Sequence, residues 1–276
     1  MRVIDLHTHS DRSDGTCSPE QVVREASARG TELLALADHD TMSGWNEARA
    51  AARRLGVPLC PAVEISTCFH DSLHILGYGV DPGNKQLALR LNDYRERRMT
   101  RVRKMVGLLK EAGLDISFDE LRQREGSSLG RPHVADLLRK KGLAATRQEA
   151  FSRFLVPGKP GYVGPCGPCV EEAISAVRES GGLAVLAHPG VVMGVIDLPA
   201  WTAVGLGGLE VFYPVHSVSL MRRLMEAADK YGLVATGGTD YHGPGSDREA
   251  RAGIEVPDEI FEKMKKIPGF AGMDHA

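Results

Sequence analysis

Short apolar runs recur along this chain, and nearly every one stops at a histidine or a carboxylate. Val3-Ile4-Asp5-Leu6 runs into His7-Thr8-His9, with Asp14 a few residues on. Leu33 to Ala37 ends in Asp38-His39-Asp40, Leu59 to Val63 in Glu64, and Leu183 to Ala187 in His188. Leu209-Glu210-Val211 is a further run, and Leu233 to Thr236 leads into Thr239-Asp240-Tyr241-His242. His74-Ile75-Leu76-Gly77-Tyr78 is the exception, because its histidine comes first. Apolar runs of this length read as buried strands. Helix signals separate most of them. Ser18-Pro19-Glu20-Gln21 offers an N-cap, a proline at N1 and a capping box, with Gly30 as the stop. Ser43 is the expected cap of an Ala/Arg-rich helix ending at Leu55-Gly56, and helices are expected over 171–180 and 218–231. Strands joined by crossover helices pair in parallel, which predicts a barrel-like or open α/β sheet of seven strands.

The alternation is interrupted in the middle. Lys85 to Leu114 is long, charged and helical, with Leu87, Leu91, Met105, Leu108 and Leu109 on one apolar face. Capping boxes begin at Ser117 and Thr146, and Pro132 opens another helix. Residues 83–164 are therefore expected as a helical insertion, with 1–82 and 165–276 forming the sheet domain. Arg95, Arg97, Arg98, Arg101, Arg103 and Lys104 read as a solvated basic face, with an RNA-guiding surface as the sharper alternative, and the tail after Pro268 reads as mobile.

Composition narrows the function classes. Apolar content is 42%, charged content 25% and net charge −2, an ordinary globular balance with no basic excess for duplex DNA. No apolar stretch is long enough to span a bilayer, and the first residues enter a strand without a signal pattern, so the cytoplasm is the expected compartment. Five cysteines make a disulfide framework unexpected. Cys17, Cys60 and Cys68 read as small apolar fillers, and Cys166-Gly-Pro-Cys169 as a loop without a second metal-binding pair.

The polar strand ends carry the chemistry. Residues i and i+2 of a strand point to one side, so His7 and His9 present two imidazoles to one point. Imidazole and carboxylate are transition-metal ligands, and the C-terminal strand ends of α/β barrels form the active face. Asp38 and Asp40 flank His39, where either orients a ligand ring or makes a turn.

In combination, His-Thr-His-Ser at 7–10, Asp-His-Asp-Thr at 38–41, Glu64, Ala-His-Pro at 187–189 and Thr-Asp-Tyr-His at 239–242 resemble the motifs of the polymerase and histidinol phosphatase (PHP) superfamily. The resemblance implies a distorted (β/α)7 TIM-like barrel with an inserted small helical lid, holding two or three divalent metal ions. It implies that His7, His9, Glu64 and Asp240 hold one metal. Glu64, His74 and His188 hold a second, and Asp14, His39 and His242 a third. His133 competes with His74 for the second metal, and His70 less so; the Leu-Gly-Tyr-Gly after His74 favours His74. Donors without thiolate suit manganese first, then iron or zinc. Three acidic ligands leave such a site positive, attractive to phosphate and able to lower the pKa of a bridging water to give a hydroxide nucleophile. Gly126 to Gly130 fits Gly-x-Ser-x-Gly but follows none of the expected strands, so a serine nucleophile has little support.

Within the superfamily, the helical insertion, Gly130-Arg131-Pro132-His133, Gly158 to Tyr162, and Val211 to Pro214 with His216-Ser217 resemble a bacterial branch. That branch acts on nucleoside 3′,5′-bisphosphates, and related members trim short RNA from the 5′ end. On this resemblance Arg131 clamps a phosphate, Lys159 holds another as a point charge, and His133 or His216 binds substrate and protonates the leaving oxygen. Tyr162, Phe212 and Tyr213 are candidates to stack on a base, with buried packing the plainer role. The expected function is hydrolysis of the 3′-phosphate of a small nucleotide bisphosphate, with no membrane, duplex DNA or obligate protein partner. The alternatives are a 5′→3′ exoribonuclease on short RNA, a histidinol phosphate phosphatase, and a metal-free binding module.

Overall fold

The computed structural model describes residues 1–121, 126–246 and 252–270. Its strands are β1 (Arg2–Thr8), β2 (Leu33–Leu36), β3 (Leu59–Ser66), β4 (His74–Tyr78), β5 (Leu183–Leu186), β6 (Gly208–Phe212), β7 (Val234–Gly237) and β8 (Ile254–Val256). Its α-helices are α1 (Pro19–Ala28), α2 (Trp45–Leu55), α3 (Lys85–Glu111), α4 (Arg131–Lys140), α5 (Arg147–Ala150), α6 (Val170–Glu179), α7 (Leu198–Ala203), α8 (Val218–Tyr231) and α9 (Asp258–Met264). Among the described residues no helix is long and apolar enough to cross a membrane.

One sheet runs in the order β7-β6-β5-β4-β3-β2-β1-β8 and curls so that the β7 end comes back against β1. The amide of His9 donates to the Tyr241 carbonyl at 2.8 Å, and that of Tyr241 to the His7 carbonyl at 3.3 Å. The seam is close enough to need glycine: a Cβ on Gly238 would lie 2.4 Å from that of His7. The result is the barrel-like α/β fold read from the sequence.

Two features of the sheet differ from the expectation. β4 is antiparallel to both β3 and β5, because seven residues between Ser66 and His74 leave no room for a crossover helix. An eighth strand, β8, pairs antiparallel with β1; three residues carry no pattern that sequence reading detects. The reversal of β4 removes the anomaly of His74. Its partner is Ser66, at the C-terminal end of β3, so the start of β4 lies on the same rim as the other strands' ends.

Helix starts follow local chemistry. Ser18 and Gln21 form the expected capping box of α1. Ser43 does not cap α2: Gly44 occupies the N-cap position with no side-chain bond. α3 serves two cores. Leu87, Leu91 and Tyr94 pack with the barrel strands, whereas Val102, Met105, Val106 and Leu109 pack with Val134, Leu138 and Leu155. The end expected to be mobile is partly anchored, since Ile267 and Phe270 are buried against β1 to β5 residues; positions 271–276 lie outside the described residues.

Candidate metal centre

Glu64 sits at the middle of the rim, fully buried. Its Oε2 lies 3.2 Å from Nε2 of both His7 and His9 and 3.1 Å from His39 Nδ1. Its Oε1 lies 2.8 Å from His74 Nδ1 and 3.1 Å from His188 Nε2. Asp240 Oδ1 is 3.2 Å from His9 Nε2 and 3.5 Å from His7 Nε2. Asp14 faces the remaining ring, 3.2 Å from His242 Nε2 and 3.7 Å from His39 Nε2. All nine residues singled out as ligands thus come together, from the ends of β1, β2, β3, β5 and β7 and the start of β4.

The electrostatics is that of a cation site. Burial alone would lower the His7 and His9 pKa values. Glu64, Glu210 and Asp240 outweigh it at His7, holding that ring well above the usual range, and Asp240 and Glu64 raise His9 to about 10. Burial wins at His39 and His74, which are pushed down. Burial opposes ionisation of Glu64 and Asp14, yet the surrounding imidazoles hold both well below the carboxylate range. His7 Nε2, His9 Nε2, Glu64 Oε2 and Asp14 Oδ1 are buried without a hydrogen bond. Such orphaned atoms are costly unless an ion satisfies them. Ligand-type atoms group in three sets within 4.8 Å: His7, His9, Glu64 and Asp240; His9, Asp14, His39 and His242; and His39, Glu64 and His74. The donors present therefore fit divalent cations.

Over this cluster lies a pocket whose wall holds Arg98, Arg101, Arg131 and Arg147 together with Asp14, His39, His74 and His242.

Residues 5–141 match the PHP domain. The chain is 39% identical to the 3′,5′-nucleoside bisphosphate phosphatase of Chromobacterium violaceum over 89% of each chain. This chain belongs to the PHP family. It is also 36% identical to the phosphoribosyl 1,2-cyclic phosphate 1,2-diphosphodiesterase of Eggerthella lenta, covering 92% of this chain and 98% of that one. A 5′-3′ exoribonuclease of Haemophilus influenzae is 30% identical over 95% of this chain and 98% of its own length. A solved Bifidobacterium adolescentis structure, described as a metal-dependent phosphoesterase, superposes with a TM-score of 0.85 at 32% identity, covering 95% and 94% of the two chains. The protein is a metal-dependent PHP phosphoesterase.

Around the PHP ligands stands a second ring of contacts. Asp38 accepts the Ser10 amide and hydroxyl and the Ser13 hydroxyl, each at 2.7 Å, and so fixes the loop after His9. Asp40 accepts the Ser66 amide and faces Arg98 at 3.4 Å. Neither makes an exposed turn, and neither bonds an imidazole directly. Tyr213 donates to Asp240 Oδ2 at 3.0 Å, the packed role rather than a stacking one. Glu210 contacts His7 and the His188 amide. The three non-glycine residues with positive φ among the described residues, Asp40 (52°), His188 (28°) and Asp240 (55°), all lie here. Strain of this kind persists where the surroundings over-determine the backbone.

The substrate residues expected from sequence scatter. Arg131 lines the pocket, its Nη1 3.1 Å from Asp71. His133 does not line it: Nδ1 accepts the Gly130 amide at 3.0 Å, and the ring also bonds the Ser13 backbone. It belongs to none of the three ligand sets. His216 is likewise engaged at both nitrogens, donating from Nδ1 to the Val211 carbonyl at 2.9 Å and accepting the Gly190 amide at 3.1 Å. Both rings are bonded to loop backbone groups, and neither lines the pocket. Lys159 is exposed on a turn outside the pocket wall.

Other residues take positions that the sequence did not suggest. Arg98 and Arg101 are not a solvated face. Arg98 is 8% exposed, bonded to the Leu129 carbonyl and Ser66 Oγ, and Arg101 bonds the Val163 carbonyl and Asp71. Arg147 is paired with Asp136. His70 and Cys166 also reach the pocket wall. Cys17 and Cys60 are buried as expected, whereas Cys68 is exposed.

Proposed function

We propose that the protein hydrolyses the 3′-phosphate of nucleoside 3′,5′-bisphosphates, using manganese in preference to iron or zinc. The arginine wall carries this reading. A site for the reacting phosphate needs the metal cluster alone, and a row of guanidiniums beside it supplies a place for a second phosphate. The Chromobacterium relative's named substrate, with two phosphates on one ribose, has the matching charge pattern.

The ligands of this reading are His7, His9, Glu64 and Asp240 for one metal, Glu64, His74 and His188 for a second, and Asp14, His39 and His242 for a third. The 2.8 Å approach of His74 to Glu64 favours it over His133. Bound divalent ions supply Lewis acidity and an activated water. The chain's own residues do the rest. Arg131 and Arg101 hold the second phosphate, with Asp71 between them fixing both guanidiniums. His70 stands on the pocket wall and gives the leaving oxygen its proton, in place of His133 or His216. Residues 83–164 act as the lid that excludes water and selects the substrate.

A second reading, cleavage of short RNA from the 5′ end, is favoured by a groove lined by Arg97, Arg101 and Lys104, which shares Arg101 and Cys166 with the pocket. A panel scored for released phosphate and released nucleotide tests both: adenosine 3′,5′-bisphosphate, 3′-AMP, 5′-AMP, histidinol phosphate and a short 5′-phosphorylated RNA. The bisphosphate should give the highest kcat/KM with 5′-AMP as product. Equal turnover of 3′-AMP would refute the second-phosphate site, and faster release of 5′-nucleotides from RNA would favour the exonuclease.

A further inference from the structure

Glu210 lies in the middle of β6, flanked by Leu209 and Val211, and has no solvent exposure. A buried carboxylate is retained against its desolvation only with good donors or nearby positive charge. Its donors are unusual. Oε1 is 3.0 Å from Nδ1 of His7, and Oε2 accepts the backbone amide of His188 at 2.7 Å. Each contact has a consequence on the far side of its partner.

When His7 Nδ1 carries the proton given to Glu210, the lone pair is left on Nε2. That atom faces Glu64 Oε2 at 3.2 Å and Asp240 Oδ1 at 3.5 Å, and it makes no hydrogen bond. At the other oxygen, the amide of His188 is held while the residue sits at φ 28°, a backbone state that costs energy for a side-chain-bearing residue. In that state the ring turns its Nε2 to Glu64 Oε1 at 3.1 Å. One carboxylate thus sets a histidine against each oxygen of Glu64, the residue that joins two ligand sets.

We infer that Glu210 is a positioning residue for the metal centre: it fixes the tautomer of His7 and seats His188 against Glu64. It touches no substrate. The inference rests on the metal reading of the cluster and does not depend on which phosphoester is cleaved.

Manganese binding to the metal-stripped whole protein tests it, for wild type, Glu210→Gln and Glu210→Ala. Glutamine keeps one acceptor oxygen and alanine keeps none. Affinity should fall in the order wild type, Gln, Ala, by roughly 10- to 100-fold for a lost outer contact to a ligand. KM for substrate at saturating manganese should stay near wild type. Wild-type affinity in both variants would overturn the inference. Should the variants not fold, nitrogen-15 NMR of the zinc-loaded wild type decides: His7 must be protonated at Nδ1, and protonation at Nε2 sinks it. A wild type that takes up no metal would instead defeat the cluster's metal reading, so the two failures are distinguishable.

Discussion

The barrel rim and the helical wall above it face each other across one pocket, yet they solve opposite electrostatic problems. The rim gathers Asp14, Glu64, Glu210 and Asp240 among imidazoles, with ligand-type atoms left unsatisfied in the interior. Its geometry comes from strands whose register is fixed, so each side chain has one place to be. The wall gathers guanidiniums, and each is already engaged: Arg101 and Arg131 by Asp71, Arg147 by Asp136. The rim's donors fit cations. On the proposed function, the wall exchanges an internal carboxylate for an arriving anion. Arg98 spans both, donating to Ser66 at the end of β3 and to the Leu129 carbonyl beside α4.

Breaking the rim should have the largest effect. Glu64→Gln leaves five imidazoles facing a neutral amide and removes the carboxylate that two ligand sets share. Loss of several kcal/mol of transition-state stabilisation corresponds to roughly a thousandfold or more in kcat. Bound manganese should fall with it, while far-ultraviolet circular dichroism stays native. A variant that keeps its metal and its rate would remove Glu64 from the centre of the site. Chelation of the wild type should produce the same loss, reversed by added manganese.

Cutting the link between the regions comes next. Arg98→Lys keeps the charge but not the planar fork that reaches two acceptors, and it leaves buried Asp40 poorly matched. Removing one partner of a buried pair costs about 3–5 kcal/mol, and a misfitting cation costs part of that. Thermal unfolding should shift down by several degrees, and kcat should fall through Ser66, which lies 3.3 Å from His39 Nδ1. An unchanged melting temperature would show that rim and wall are independent.

Arg131→Ala disturbs the wall alone. A drop of roughly 10- to 100-fold in kcat/KM for the bisphosphate, about 1.4–2.7 kcal/mol, is expected, with little change for a generic aryl phosphate. Equal losses on both substrates would take the arginine out of second-phosphate recognition.

The same contrast explains what could be read in advance. Rim ligands adjoin strand ends in sequence, so local pattern finds them. His74 looked misplaced only because parallel pairing was assumed; the short link before it already required a reversal. Glu210 had a signal too, a lone carboxylate inside an apolar strand. Arg98 follows Leu87, Leu91 and Tyr94 and precedes Val102 and Met105 on the buried stripe of α3, a pattern hidden inside a run of charges. The roles of His133 and His216 could not be read, because each depends on backbone groups that meet it only after folding: Ser13 for one, Gly190 for the other. Arg101 and Arg131 meet at Asp71 for the same reason.

The smallest effect should come from Lys159. Sequence made it a phosphate ligand, and folding leaves it exposed on the turn where its amide bonds the Val156 carbonyl. Exposed single charges contribute within about 0.5 kcal/mol to stability, and a charge outside the pocket acts on substrate only through a screened field. Lys159→Ala should therefore change kcat/KM for the bisphosphate by about twofold or less, and that small change should vanish at high salt. A loss as large as that of Arg131→Ala, persisting in salt, would mean that this turn moves onto the substrate. The wall would then extend past α4 to Gly158–Tyr162, and the anion side of the site would be assembled by substrate binding rather than waiting for it.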